Sequence, residues 1–132
     1  HGRFTENLGT IEAPIGRSKF DRKKMAVVAE GRPSTSEYKV LERFSQYTLL
    51  QIKPLTGRTH QIRVHFSYIQ HPVVGDPLYG PSQKHLGLDS QALHAHLLGF
   101  RHPTSADYME FRSPLPDYFQ EVLNRLRQRP FR

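Results

Sequence analysis

Cysteine is absent from this chain, and so is tryptophan. The first absence excludes disulfide frameworks, thiol chemistry and Cys-based zinc sites, and it suits a reducing, cytoplasmic compartment. No apolar run approaches the roughly 20 residues that a membrane-crossing helix needs. The polar N-terminal stretch has no signal-peptide core either, so no membrane partner is expected. Acidic residues are in deficit: 12 Asp and Glu stand against 19 Lys and Arg, a formal charge of +7, with a pI near 10.0. That imbalance points to a polyanion, nucleic acid before membrane, against the plainer reading of a basic but solvated surface. No glycine run forms a phosphate-binding loop, no serine has a triad context, and no carboxylate pair has a glycosidase setting.

What is present is 132 residues, 36% hydrophobic, with ten prolines and nine glycines. This is one domain or part of one, rich in turns. Residues 9–15 read as a strand broken at Pro14 and ended by Gly16. Residues 17–24 carry five cations, Arg17, Lys19, Arg22, Lys23 and Lys24, around Phe20 and one acid, Asp21. Cations about an aromatic ring suit a nucleic-acid backbone, though a solvated loop with one anchoring ring is the plain alternative. Residues 25–29 form a short apolar strand, and Gly31-Arg32-Pro33 a turn. From 34 to 44 polar and apolar residues alternate, which predicts a half-buried strand with Tyr38, Val40 and Phe44 inward. With residues 47–53 it reads as an antiparallel hairpin. Later, residues 92–100 fit helix or strand by pattern alone, Gly99 and the following His-Pro favouring a strand, paired with the strand 108–112 across a turn at 103–107. Residues 116–127 read as a helix with Phe119, Val122, Leu123 and Leu126 on its apolar face. Arg125, Arg127, Arg129 and Arg132 make its tail basic.

Between the hairpin and those strands lies the stretch 53–80, K-P-L-T-G-R-T-H-Q-I-R-V-H-F-S-Y-I-Q-H-P-V-V-G-D-P-L-Y-G. Thr56-Gly57 supplies a turn in which Gly57 is free to take a positive φ. Thr59 is a candidate N-cap for a short helix, and Ile62, Phe66 and Ile69 recur on one of its faces. The first turn carries Arg58, His60 and Arg63 beside free backbone N–H groups, a place for an anion. Asp76, in Gly75-Asp76-Pro77, is expected to bond nearby backbone in an Asx turn. His60 with His65, and His94 with His96, lack the Cys, Asp or Glu partners of a recognised metal spacing, so no metal is expected.

The segment Leu55-Thr-Gly-Arg-Thr-His-Gln-Ile-Arg-Val-His65, followed by His71-Pro-Val-Val-Gly-Asp-Pro-Leu-Tyr-Gly80, closely resembles the RluA-type RNA pseudouridine synthases. Residues 9–17 resemble that family's entry strand, 21–28 its basic segment, and Leu93-His-Ala95 with His102-Pro103 its late strand. The resemblance implies an α+β fold with a mixed, mainly antiparallel sheet and a few flanking helices. It implies an isomerase that turns uridine into pseudouridine in rRNA or tRNA without metal or redox cofactor. Carried over by position, Arg63 would pair with the catalytic aspartate and Ile62 would pack on the base. Arg58, His60 and Gln61 would position RNA or brace the loop, and Arg17, Lys19, Arg22, Lys23 and Lys24 would contact RNA.

The family's His-Arg-Leu-Asp type segment, which holds that aspartate, and its active-site tyrosine do not occur here. Residues 1–132 are therefore expected to be the C-terminal part of a catalytic domain, inactive alone. They should need the upstream half as partner, and an exposed sheet edge should favour self-association. The alternatives from other classes are a stand-alone RNA-binding module without catalysis and a basic structural protein.

Overall fold

Period-two alternation after the Gly31-Arg32-Pro33 turn becomes the strand on which the main sheet is built. The computed structural model describes residues 1–81, 86, 88, 90–95, 97–101 and 108–128, with backbone alone for 97–101 and 108–112. Its elements are β1 (Leu8–Glu12), β2 (Ile15–Arg17), β3 (Met25–Val27), β4 (Thr35–Arg43), β5 (Thr48–Pro54), α1 (Gln61–Tyr68), β6 (Leu97–Arg101), β7 (Tyr108–Arg112) and α2 (Asp117–Gln128). The class is α+β, as expected. The described ladders are antiparallel and form three sheets, β1-β4-β5, β2-β3 and β6-β7. Gly16 does not end the first strand: it sits within β2, opposite Ala26. The expected turn at 103–107 lies outside the described residues.

β4 and β5 form the expected hairpin, joined where the Phe44 N–H donates to the Tyr47 carbonyl (2.9 Å). A bulge between Val40 and Glu42 interrupts their register and leaves Leu41 exposed. An extra residue in one strand re-aims everything beyond it. Tyr38 and Val40 accordingly pack on the first core with Phe4, Ile11, Ala13 and Phe66. Phe44 joins a second core with Val122, Leu123 and Leu126 of α2. On β5, Leu50 and Ile52 pack on the first core while Leu49 packs on the second. Successive strand residues point to opposite faces, so α1 and α2 cover opposite faces of the hairpin.

α1 ends for local reasons. The His71 N–H donates to the Phe66 carbonyl (2.8 Å) and the Gln70 N–H to that of Ser67 (3.0 Å), with Gln70 left-handed at φ 67°. This satisfies carbonyls that would otherwise be orphaned, and Pro72 cannot continue the helix.

Phe66 is 1% exposed and shares ring contacts with Phe4 and Tyr38. Phe66→Ala should cost about 3–5 kcal/mol by lost transfer energy and a cavity, whereas Leu55→Ala, at a site 52% exposed, should stay within about 0.5 kcal/mol. Urea midpoints of the two variants check this, and equal midpoints would contradict the core assignment.

Candidate functional site

The start of α1 differs from its local signals. Gly57 is not among the residues of positive φ; the left-handed conformation falls instead on His60, the N-cap, at φ 56°. The cap position is thus taken by His60 rather than Thr59, and the His60 side chain makes no cap bond. A non-glycine residue in this region costs on the order of 1–3 kcal/mol, which the bonds around it must offset. His60 Nδ1 bonds the Tyr79 hydroxyl (2.8 Å). Gln61 Oε1 accepts from the Thr56 hydroxyl (2.6 Å) and the Arg58 N–H (3.1 Å). Arg58 in turn donates through Nε and Nη2 to the Pro33 carbonyl (3.2 and 2.9 Å). Of the two roles open to Arg58, His60 and Gln61, all three make the bracing contacts.

Beneath the helix runs a buried polar seam. Gln61 Nε2 donates to the Thr35 carbonyl and to Ser36 Oγ, both at 2.9 Å. Ser36 Oγ meets His65 Nδ1 at 2.8 Å, and His65 Nε2 lies 2.9 Å from the Ala13 carbonyl. A carbonyl can only accept, so Nε2 carries a hydrogen and donates it there, and Nδ1 accepts the hydrogen bond of the Ser36 hydroxyl. Ser36 and His65 are wholly buried. The helix is thereby pinned to β4 and to the segment after β1 by directional bonds as well as by packing.

On the helix's open side, Arg63 Nε donates to Asp76 Oδ2 (2.8 Å) and Nη2 to Oδ1 (2.9 Å). Asp76 Oδ1 also accepts the backbone N–H groups of Leu78 (2.9 Å) and Tyr79 (3.1 Å). This is the expected Asx turn with a guanidinium added. Gly75, at φ 80°, and Gly80, whose Cβ would meet the Asp76 carbonyl at 2.7 Å, allow the turn to close. Burial alone would push the Asp76 carboxyl up. The hydrogen bonds from Arg63, Leu78 and Tyr79 and the charge on Arg63 outweigh it and hold the group below the ordinary carboxylate range. The same bond raises the Arg63 guanidinium, against a smaller opposing effect of burial.

Tyr79 completes the arrangement. Its ring lies under Arg63, 5.1 Å from the guanidinium carbon, and its hydroxyl accepts the Met25 N–H (3.0 Å) at the start of β3. The pairing of Arg63 with Asp76 had no local signal, since no spacing rule links positions 13 apart across a helix end and a turn. Ile62 is half-buried and packs against the first core. Arg17, Lys19 and Arg22, with Ser18, line an open concavity of about 670 Å³. Lys19 is engaged by Glu30 (2.8 Å); Lys23 is exposed and Lys24 half-buried. Of the histidines weighed as ligands, His60 and His65 are committed as above, His94 Nε2 lies 3.3 Å from the Ser113 carbonyl, and His96 lies outside the described residues. No group of three or more potential metal ligands occurs among the described residues.

Comparison with known proteins gives one family throughout. A family model described as RNA pseudouridylate synthase matches residues 3–68. An uncharacterized RNA pseudouridine synthase of Chloroflexus aurantiacus is 52% identical over 121 residues, covering 92% of this chain and 38% of its own length. The ribosomal large subunit pseudouridine synthase D of Pseudomonas aeruginosa is 47% identical over 132 residues, covering 91% and 41%. Among solved structures, human RNA pseudouridylate synthase domain containing 1 superposes with a TM-score of 0.72 at 30% identity, over 100% of this chain and 64% of that one. The chain spans about two fifths of the length of the curated relatives it matches.

Removing one partner from a buried ion pair strands the other charge, so Asp76→Asn should destabilise the fold by about 3–5 kcal/mol. The carboxyl's folded value lies below its unfolded value of about 3.9. Its stabilisation is thus complete above that unfolded value and is lost as pH falls through the lower, folded one. Urea unfolding between pH 7 and pH 2 should show this acid loss in the wild type and a shallower one in Asp76→Asn. Parallel profiles would contradict the ion pair's role.

Proposed function

This chain belongs to the RNA pseudouridine synthase family, in its RluA-type branch, and on that footing we propose that it supplies one wall of a uridine-isomerising cleft. The observation that carries the reading is the orientation of Arg63. Asp76 takes the Nε–Nη2 edge of the guanidinium, and the Nη1 edge has no partner among the described residues. Arg63 keeps 12% of its side chain exposed while that of Asp76 is fully covered. A planar guanidinium held this way can receive a second carboxylate through charge-assisted bonds. In our reading that carboxylate is the catalytic aspartate, carried by the half of the domain that precedes this chain.

The chemistry assigns work to each part. The glycosidic bond between uracil N1 and ribose C1′ breaks beside that aspartate. The loosened base turns, C5 bonds to C1′, and the C5 proton is released. Arg63 fixes the direction of the aspartate, and Ile62 offers the apolar surface on which the freed base rests. Arg17, Arg22, Lys23 and Lys24 neutralise phosphates of a structured rRNA or tRNA, with Lys19 available to join them only by leaving Glu30. Asp76 is unsuited as a nucleophile, being 2% exposed with both oxygens engaged. Hence the chain alone is inactive. The sheet edges β1 and β5 are where the upstream half would dock, or where isolated copies would pair with one another.

Tritium release from RNA labelled at uridine C5 tests this, with the chain alone and joined to its upstream half. Release is expected only from the joined form, lowered on the order of 100-fold by Arg63→Lys, since a misplaced catalytic group costs about that much. Sedimentation of the same preparations should show self-association of the chain alone. RNA binding without release in either form would favour the module without catalysis, and release by the chain alone would overturn the proposal.

A further inference from the structure

We propose that the tip of the β2–β3 hairpin is a stacking platform for an unpaired RNA base, with Phe20 as its ring. This rests on the reading that RNA is the partner. A single exposed hydrophobe is ordinary on a protein surface; what distinguishes Phe20 is that an ordered tip holds it out. Its side chain is fully exposed, forgoing about 1.5–3 kcal/mol that burial of such a group provides. Yet the backbone beneath it is not slack. Ser18 Oγ accepts from the N–H groups of Phe20 and Asp21, each at 3.2 Å, and Asp21 Oδ1 accepts from that of Lys23 at 3.0 Å. The Ser18 N–H donates to the Lys24 carbonyl and the Lys24 N–H to that of Asp21, both at 3.0 Å. Arg17 Nη1 closes the tip on the Arg22 carbonyl at 3.2 Å.

Charge identifies the occupant. Exposed Arg17, Arg22 and Lys23 flank Phe20 in the chain, while Lys19 is drawn off by Glu30 and the acid Asp21 is turned onto its own loop. One ring among cations matches one base between phosphates. An anionic membrane would ask for more apolar surface than a lone phenyl offers. A duplex keeps its base faces covered, so the platform selects unpaired RNA. The base of the hairpin is also fastened to the ring beneath Arg63 through the Met25–Tyr79 bond, which ties the stacked base to the site where the uridine is turned.

Fluorescence anisotropy of the full chain on an RNA hairpin with an open loop, and on the same sequence fully paired, tests the platform. Phe20→Ala should weaken binding to the looped RNA by roughly 5- to 150-fold, the equivalent of about 1–3 kcal/mol per stacked base. It should leave the salt dependence and the duplex affinity unchanged, whereas Lys23→Gln should lower the salt slope by about 1. Because the chain has no tryptophan, Phe20→Trp introduces a single indole, and looped RNA should quench it while duplex does not. Wild-type binding matched by Phe20→Ala would overturn the platform and leave the RNA reading standing. A wild type that binds neither RNA at low salt would overturn both. Phe20-dependent binding to anionic vesicles in that case would assign the tip to a membrane instead.

Discussion

The bidentate contact between Arg63 and Asp76 is the interaction from which the rest of the site takes its shape. It joins the first turns of α1 to the 75–80 turn. Asp76 also collects two backbone N–H groups of that turn, so the carboxylate organises the loop as well as the arginine. Tyr79 is thereby placed under the guanidinium, and its hydroxyl reaches both the left-handed His60 and the base of the basic hairpin. One buried charge thus sets the arginine's direction, supports a strained helix start and tethers an exposed arm. A buried ion pair is a poor source of net stability, because desolvation offsets most of the attraction. Its value here is geometric, since few of the neighbouring arrangements survive if the carboxylate moves.

The seam under α1 works in the same manner. A short helix packed by Phe66, Ile62 and Ile69 alone could rotate or slide on a smooth apolar sheet. Gln61, Ser36, His65 and the Ala13 carbonyl remove that freedom, because an unmatched buried donor or acceptor would cost about 1–3 kcal/mol. Packing holds the helix down and hydrogen bonds fix its register. Position matters more than strength for a wall that must present a guanidinium to a reacting group.

What the sequence disclosed was whatever local periodicity or turn chemistry encodes. The β4–β5 hairpin followed from alternation, the apolar face of α2 from Phe119, Val122, Leu123 and Leu126, and the Asp76 turn from Asx chemistry. The family was legible in the residues of 55–65 and 71–80. The failures share one cause: bonds between residues distant in the chain decided the outcome. Gly57 and Thr59 had the better local credentials, yet His60 took the positive φ and the cap position where Tyr79 could meet its ring. Gln61 reads as a residue that positions RNA or braces the loop, and His65 as half of a metal-less histidine pair; it is the distant Ser36 and Ala13 that make their burial tolerable. Phe44 was expected inward with Tyr38 and Val40. The bulge at Leu41 sends it to the other core, and nothing in the alternation announces a bulge.

A double-mutant cycle on Arg63→Met and Asp76→Asn, read by urea unfolding at neutral pH, tests the organising role of this pair most directly. The two losses should be far from additive, with a coupling of about 2 kcal/mol or more, as befits close and largely covered charges. Once either partner is gone, the turn and the arginine have already lost their common anchor. Additivity within about 0.5 kcal/mol would mean that each side chain acts alone, and that the guanidinium is held in place by something other than Asp76.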